Sequence, residues 1–237
     1  MNIMLIDKKD LAGAFFKVKG RRLEHIKTVL KAKEGESVKC GIINDFLFNA
    51  SIIKISDNEA EFQIIAGTET VPPPPLKMTL IMALSRPKSF RKALHAAVSS
   101  GIKKIYIINS WKVDKSYWTS PLLSGAELEE EIILALEQSC DSIMPDIQFK
   151  RLFKPFVEDE IPGIIADKQA YLADPAASGT CPFGIQGEFV LAIGPEGGFT
   201  PYENDMLVKS GLIPVNIGRR ILRVEVAVPF LTGRTAQ

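Results

Sequence analysis

Hydrophobic positions along this chain change their rhythm once, at a run of four prolines. Before it, apolar residues come in short bursts over residues 38–43, 46–55 and 61–65. Asn44-Asp45 and Ser56-Asp57-Asn58 separate them, residues whose side chains turn a chain by bonding to their own backbone. Short strands at such close spacing predict a small β-barrel, with a short helix ahead of them over 24–30. After the prolines, strand-like and helix-like segments alternate: a strand over 78–84, a helix over 90–100, a strand over 104–109 and a helix over 127–139. In the last of these Leu128, Ile132, Ile133 and Leu136 fall at helical spacing, and acidic residues fill the first turns, where they favour the helix dipole. Further strands are expected over 164–166, 189–193 and 213–217, a loop over 173–187, and a final helix opening across 218–225. Such alternation predicts an α/β domain with a parallel sheet.

The prolines Pro72 to Pro75 follow Val71 and donate no backbone hydrogen bonds, so they favour a stiff extended spacer over helix or sheet. They set the expected boundary between a barrel of residues 1–71 and an α/β domain of residues 76–237.

Composition narrows the class without naming it. With 46% hydrophobic and 24% charged residues in 237, the chain can bury a real core. No apolar run reaches the length of a membrane span, and no basic segment precedes an apolar run at the start, so a cytoplasmic location is expected. Cys40, Cys140 and Cys181 are odd in number, far apart and lack a C-x-x-C spacing, which argues against a zinc site or a disulfide framework and predicts reduced core cysteines with no metal. The net charge of +1 conceals two basic stretches: nine lysines and arginines against four acids over residues 1–35, and eight against one over 86–115. Clustered cations attract a polyanion such as RNA, although a charged solvated face would look the same.

The chemistry concentrates near the C-terminal end. The strand over 189–193 runs into Gly194-Pro195-Glu196-Gly197-Gly198-Phe199 and then Thr200-Pro201-Tyr202-Glu203. Thr200 is a good N-cap, Pro201 occupies the first helical position, and Glu203 completes a capping box, so a helix starts here. Three glycines allow backbone to approach a ligand closely at the carboxyl end of a strand. Neither the triphosphate-cradling G-x-x-x-x-G-K-[ST] nor the dinucleotide G-x-G-x-x-G is present. One helix later, Gly218-Arg219-Arg220-Ile221-Leu222-Arg223-Val224-Glu225 follows another short strand. Successive parallel strands are expected to set the Gly194 and Gly218 loops side by side over one cleft.

These residues, GPEGGFT and then NIGRRILRVE, preceded by ALEQS and a basic helix after the first α/β strand, resemble the ribosomal RNA small subunit (16S) uridine N3-methyltransferase family of the SPOUT superfamily. The resemblance covers the chain nearly end to end. It implies a SPOUT-type α/β domain with a C-terminal trefoil knot, preceded by a PUA-like β-barrel with an RNA-facing basic surface. It also implies a homodimer and S-adenosyl-L-methionine as cofactor. Carried over, Gly194, Glu196, Gly197 and Gly198 form the cofactor loop, Ile217, Gly218, Leu222 and Arg223 the opposing knotted loop, and Leu84 closes the pocket. Two departures stand out. The family's Lys-Ala-Thr-Glu-Leu-Gly reads Ala96-Ala97-Val98-Ser99-Ser100-Gly101 here, without the lysine and the glutamate, and its x-Glu-Thr-Ala reads Val224-Glu225-Val226-Ala227.

Methylation of uridine N3 is a direct displacement, so positioning and charge stabilisation should supply most of the rate. Arg223, always charged and on the cofactor loop, is the candidate catalytic residue. The expected RNA contacts are Arg21 and Arg22 in the barrel and Lys88, Arg91 and Lys92 on one helical stretch. Two other readings stay open: a SPOUT enzyme acting at another RNA position, and a non-catalytic RNA-binding or ribosome assembly protein.

Overall fold

The computed structural model describes residues 2–236. They form two compact units: the chain up to Pro74 together with Ile133–Met144, and Pro75–Ile132 together with the chain from Pro145 onward. The boundary falls within the proline run, while the return of 133–144 to the first unit is invisible in the local sequence pattern.

The first unit is a six-stranded curled sheet. Its strands are β1 (Met4–Ile6), β2 (Leu11–Ala12), β3 (Phe15–Val18), β4 (Ser37–Ile42), β5 (Leu47–Ile55) and β6 (Ala60–Ile64), in the order β1-β4-β5-β6-β3-β2. Only β1 and β4 are parallel; the rest pair antiparallel. Along β5 the buried residues Phe48, Ala50 and Ile52 alternate with half-buried ones, the period of a strand with one face in the core. Phe16 and Phe62 stack at 5.1 Å between ring centroids, and Phe48 meets Phe16 edge-on at 6.1 Å. Strands β1 to β3 leave no mark in the hydrophobic pattern, being only two to four residues long. Helix α1 (Gly20–His25) starts earlier than the pattern predicts and continues as a π turn, Ile26–Leu30.

The segment 133–144 brings a fully buried carboxylate, Glu137, into this unit. A buried charge needs partners. Arg21 lies 2.9 Å and Arg22 3.6 Å from its oxygens, and the Leu5 N–H donates to it at 3.2 Å.

The second unit carries β7 (Leu76–Ala83), α2 (Pro87–Ser99), β8 (Ile102–Ile108), α3 (Gly125–Ser139, whose last residues belong to the first unit), β9 (Asp146–Lys150), α4 (Phe153–Pro155), α5 (Ile161–Ile165), β10 (Gln169–Ala173), β11 (Phe189–Ile193), α6 (Pro201–Lys209), β12 (Ile213–Val215) and α7 (Val224–Thr235). All six strands are parallel, in the order β12-β10-β11-β7-β8-β9. Every residue of β11 is buried, as a strand covered on both faces must be. Helix α2 contributes Phe90, Ala93, Leu94, Ala97 and Val98 to the core. Among the described residues no helix is long and apolar enough to cross a membrane.

Three expectations are corrected here. Residues 164–166 do not form a strand: Ile164 and Ile165 close α5, which Pro162 helps to start, and Asp167 at φ +58 turns the chain into β10. Residues 218–223 stay outside helix; α7 begins at Val224. Strands β11 and β12 are not neighbours, because β10 lies between them.

Candidate functional site

The carboxyl ends of β10, β11 and β12 converge on a cleft of about 320 Å³. Loops at this end of an open parallel sheet are where such folds bind ligands, because the strand order reverses there and leaves a crevice. Three loops form its walls: residues 174–176 after β10, 194–199 after β11, and 216–222 after β12, with the first turns of α7 behind them.

The β11 loop is braced from several directions. Thr200 caps α6 through a complete capping box: its Oγ1 accepts the Glu203 N–H at 3.2 Å, and Glu203 Oε2 accepts the Thr200 N–H at 2.8 Å. Glu203 Oε1 takes the Trp111 N–H at 2.7 Å, so a carboxylate only 4% exposed ties the β8 loop to this helix. Glu196 Oε1 accepts the Arg86 N–H at 2.9 Å, and Lys112 Nζ donates to the Gly197 carbonyl at 2.6 Å. A Cβ on Gly194 would sit 3.1 Å from the Phe199 nitrogen, so any side chain here would press the Phe199 backbone back by a few tenths of an ångström.

Across the cleft, Asn216 organises the β12 loop. Its N–H donates to the Gly179 carbonyl at 2.8 Å, its Nδ2 to the Ala177 carbonyl, and its Oδ1 accepts the Gly218 N–H at 3.0 Å. Gly218 has φ +119, a conformation L side chains rarely adopt. Asp174 closes the third side, taking the Ala176 N–H at 2.9 Å and the Asn204 Nδ2 at 3.1 Å.

Of the residues expected at a cofactor, Gly194, Glu196, Gly197, Gly198, Ile217, Gly218 and Leu222 line this cleft. Leu84 and Arg223 are not among its lining residues. Leu84 is buried, and its N–H donates to the Ile108 carbonyl at 2.9 Å. Arg223 is exposed at the N-cap of α7, between Leu222 and Val224, which do line the cleft. Asp174 escapes sequence reading because β10 carries no clear strand pattern, so nothing marks the Asp174-Pro175 turn as the end of a strand. Asn204 in α6 and Asn216 at the head of the NIGRR motif carry no mark of their own as polar residues of the cleft.

Glu225, in the first turn of α7, has its carboxyl held below the usual range by its own backbone N–H, with help from the Ser89 hydroxyl and the nearby Arg223 and Lys92, against the opposing effect of desolvation. It stays ionised and is a weak proton acceptor. The basic residues divide. Arg21 and Arg22 are tied to Glu137. Arg91 pairs with Glu131 at 2.9 Å, the carboxylate that also meets His95 at 2.6 Å. Lys88 and Lys92 lie exposed one helical turn apart. All three cysteines are free thiols; Cys40 and Cys181 are buried, which pushes both thiols up.

A parallel α/β unit with a glycine-walled cleft at the carboxyl ends of its strands, in one chain with a small curled sheet, defines a two-unit α/β protein with a small-molecule site at the edge of its parallel sheet. Residues 72–236 match the family described as RNA methyltransferase domain, and residues 18–65 match the RNA methyltransferase PUA domain. The chain belongs to the RNA methyltransferase family. Among its curated relatives is the Ribosomal RNA small subunit methyltransferase E of Treponema pallidum, 28% identical over 96% of this chain and 87% of that one. The protein of the same name from Mesomycoplasma hyopneumoniae is also 28% identical, over 92% of each chain. Among solved structures, Ribosomal RNA small subunit methyltransferase E from Neisseria gonorrhoeae bound to S-adenosyl methionine superposes with a TM-score of 0.77 at 20% identity, covering 98% of this chain and 95% of that one.

Proposed function

We propose that this protein transfers the methyl group of S-adenosyl-L-methionine to N3 of a uridine in 16S ribosomal RNA, as a homodimer in the cytoplasm. The observation that carries the reading is the cleft itself, in which the Gly194 and Gly218 loops face one another in a chain of the RNA methyltransferase family. Its lining suits the cofactor: about 320 Å³ is a small-molecule volume. Ile217, Leu222 and Leu231 offer apolar surface for a nucleoside, while glycine-loop backbone and the Asp174, Asn204 and Asn216 side chains offer polar partners. The threading of the C-terminal chain into a trefoil knot belongs to the same reading. Exposed Ile221, Val226 and Phe230, at 81%, 46% and 50%, support a homodimer.

When bound, S-adenosylmethionine supplies an electrophilic methyl carbon on a sulfonium. The chain's part is positional and electrostatic. Backbone groups of 194–198 and 216–218 would hold the cofactor, in loops locked by Glu196, Lys112 and Asn216. Arg223, a guanidinium exposed at the rim, stabilises the negative charge that develops on the uracil oxygens. Glu196 spends one oxygen on the Arg86 N–H, which makes it a brace of the loop.

A second reading, methylation at another RNA position, is favoured by one observation: residues 96–101 at the end of α2 carry neither the lysine nor the glutamate the family usually has there. Calorimetric titration with S-adenosylmethionine tests the cleft. One site per subunit is expected, lost in Gly197→Trp; no binding by the wild type would sink the methyltransferase reading. Mapping the methyl group on 16S rRNA then separates uridine N3 from any other position.

A further inference from the structure

Both tryptophans of the chain, Trp111 and Trp118, line a second groove in the α/β unit, about 1000 Å³ in volume, which the cofactor reading leaves unused. The groove lies beyond the carboxyl ends of β8 and β9 and is closed on one side by the start of α6. Its two tryptophans are prepared differently. Trp118 is fixed: its indole N–H donates to Asn109 Oδ1 at 3.0 Å, the Arg151 guanidinium lies 5.2 Å over its ring, and Phe149 meets it edge-on at 6.4 Å. Trp111 is 85% exposed, yet its backbone is anchored by the buried Glu203. An indole that large left in water on an anchored backbone gains most by stacking on another flat ring.

Charge selects the partner. Lys115, Arg151 and Lys154 line the groove with one carboxylate, Glu203, and both oxygens of that carboxylate are already engaged by Trp111 and Thr200. A third observation is independent of both. Ser110 lines the groove at 3% exposure, and its hydroxyl has no hydrogen-bond partner among the described residues. Buried hydroxyls are normally satisfied, so an orphan in a ligand-sized groove points to a polar group that arrives with a ligand. Aromatic faces, cations and an unpaired hydroxyl together match single-stranded RNA, whose bases stack on side chains and whose phosphates take the cations.

The same loop reaches the cofactor cleft. Trp111 is bonded to Glu203 and the next residue, Lys112, to the Gly197 carbonyl, so groove and cleft share a wall. We propose that this groove receives an unstacked nucleobase of the RNA strand adjoining the methylated nucleotide, stacked on Trp111 and bonded to Ser110, with neighbouring phosphates on Lys115, Arg151 and Lys154. The inference rests on the RNA methyltransferase reading and adds to it a specificity site outside the cofactor loops. It also assigns the β8 loop a share in presenting the target base, because the loop that carries Trp111 also braces the Gly197 wall of the cleft through Lys112.

Tryptophan emission reports on this groove alone, since the chain has no other tryptophan. Full-length protein carrying Trp118→Phe, titrated with hexauridylate, should lose emission from Trp111, and the affinity should fall as salt rises. In steady-state methylation of 16S rRNA, Trp111→Ala should raise KM for RNA by roughly tenfold, with kcat and S-adenosylmethionine affinity within about twofold, and Trp111→Phe should restore most of the loss. An unchanged KM in Trp111→Ala, in an enzyme that still binds cofactor and methylates RNA, would overturn the groove and leave the proposed function standing. Quenching by hexauridylate in a wild-type protein that neither binds cofactor nor methylates RNA would do the reverse. Emission that ignores RNA but shifts on dilution would overturn the proposal and assign the groove to a second copy of the chain.

Discussion

The loops after β11 and β12 both present glycine to the cleft, and they do so for different reasons. At Gly194 in the β11 loop the need is space, since a Cβ there would meet the Phe199 nitrogen at 3.1 Å and the Gly198 Cα at 3.3 Å, although Gly198 beside it, at φ +65 with no atom within 4 Å of a Cβ, is needed for conformation. In the β12 loop the need is conformation: no atom lies within 4 Å of where a Cβ on Gly218 would sit, but φ +119 excludes most other residues. One wall is therefore a rigid form against which a ligand is set. The other is organised by Asn216 and then leaves Arg219, Arg220, Ile221 and Arg223 exposed. A site built this way keeps the reacting geometry on the braced side and leaves charge and contact with a large substrate to the open side.

That contrast can be broken by substitution. Arg223→Ala should have the largest effect, lowering turnover by roughly a hundredfold or more, because charge stabilisation in a transition state is worth several kcal/mol. Calorimetry should show cofactor affinity within about twofold of wild type; equal loss of both would move Arg223 from the chemistry to the cofactor. Next comes Gly194→Ala. Overpacking against backbone costs about 2 kcal/mol, which should lower both the melting temperature and cofactor affinity, the latter by more than tenfold. Gly218→Ala should cost about 1 kcal/mol through conformational strain, weakening cofactor binding and lowering the melting temperature about half as far as Gly194→Ala does. If the two alanine variants behave alike in both measurements, the distinction between a space glycine and a conformation glycine is wrong. The smallest effect on the cleft belongs to Lys88→Glu with Lys92→Glu: no change in cofactor affinity, and a several-fold weaker, less salt-dependent RNA affinity in filter binding.

The basic stretches teach a related lesson about reading charge. Position in the sequence alone makes four arginines candidates for gripping RNA or for catalysis. In the structure Arg21 and Arg22 pair with Glu137, a carboxylate more than a hundred residues away, and Arg91 pairs with Glu131. Arg223 alone of the four stands exposed beside the cleft. A local count of lysine and arginine cannot tell a solvated cation from one whose partner arrives from a distant helix.

Legibility followed the range of the forces involved. The start of α6 can be read to the residue, because Thr200, Pro201 and Glu203 act within one turn and their hydrogen bonds need nothing from elsewhere. Strand β11 is recognisable from an unbroken apolar run, and β7 and β8 from the apolar stretches over residues 80–83 and 105–108, since a strand covered on both faces tolerates little else. Strand β10 escapes such a reading, and with it Asp174 as part of the cleft. Its five residues are apolar over only four positions and follow a helix whose own Ile164-Ile165-Ala166 end looks more like a strand.

By itself the sequence determined the alternation of elements, the division at the prolines, the two glycine motifs and the family they resemble. Tertiary structure decided the rest. It placed β10 between β11 and β12, so that three loops rather than two wall the cleft. It sent residues 133–144 back to the first unit to bury Glu137 among arginines, and it brought Trp111, Trp118, Arg151 and Ser110 to one groove. Caps, turns and periodicity arise from interactions between residues a few positions apart, which a sequence displays directly. Strand order, buried ion pairs and grooves arise from the closure of long loops, whose cost grows only slowly with length and which therefore leaves almost no local trace.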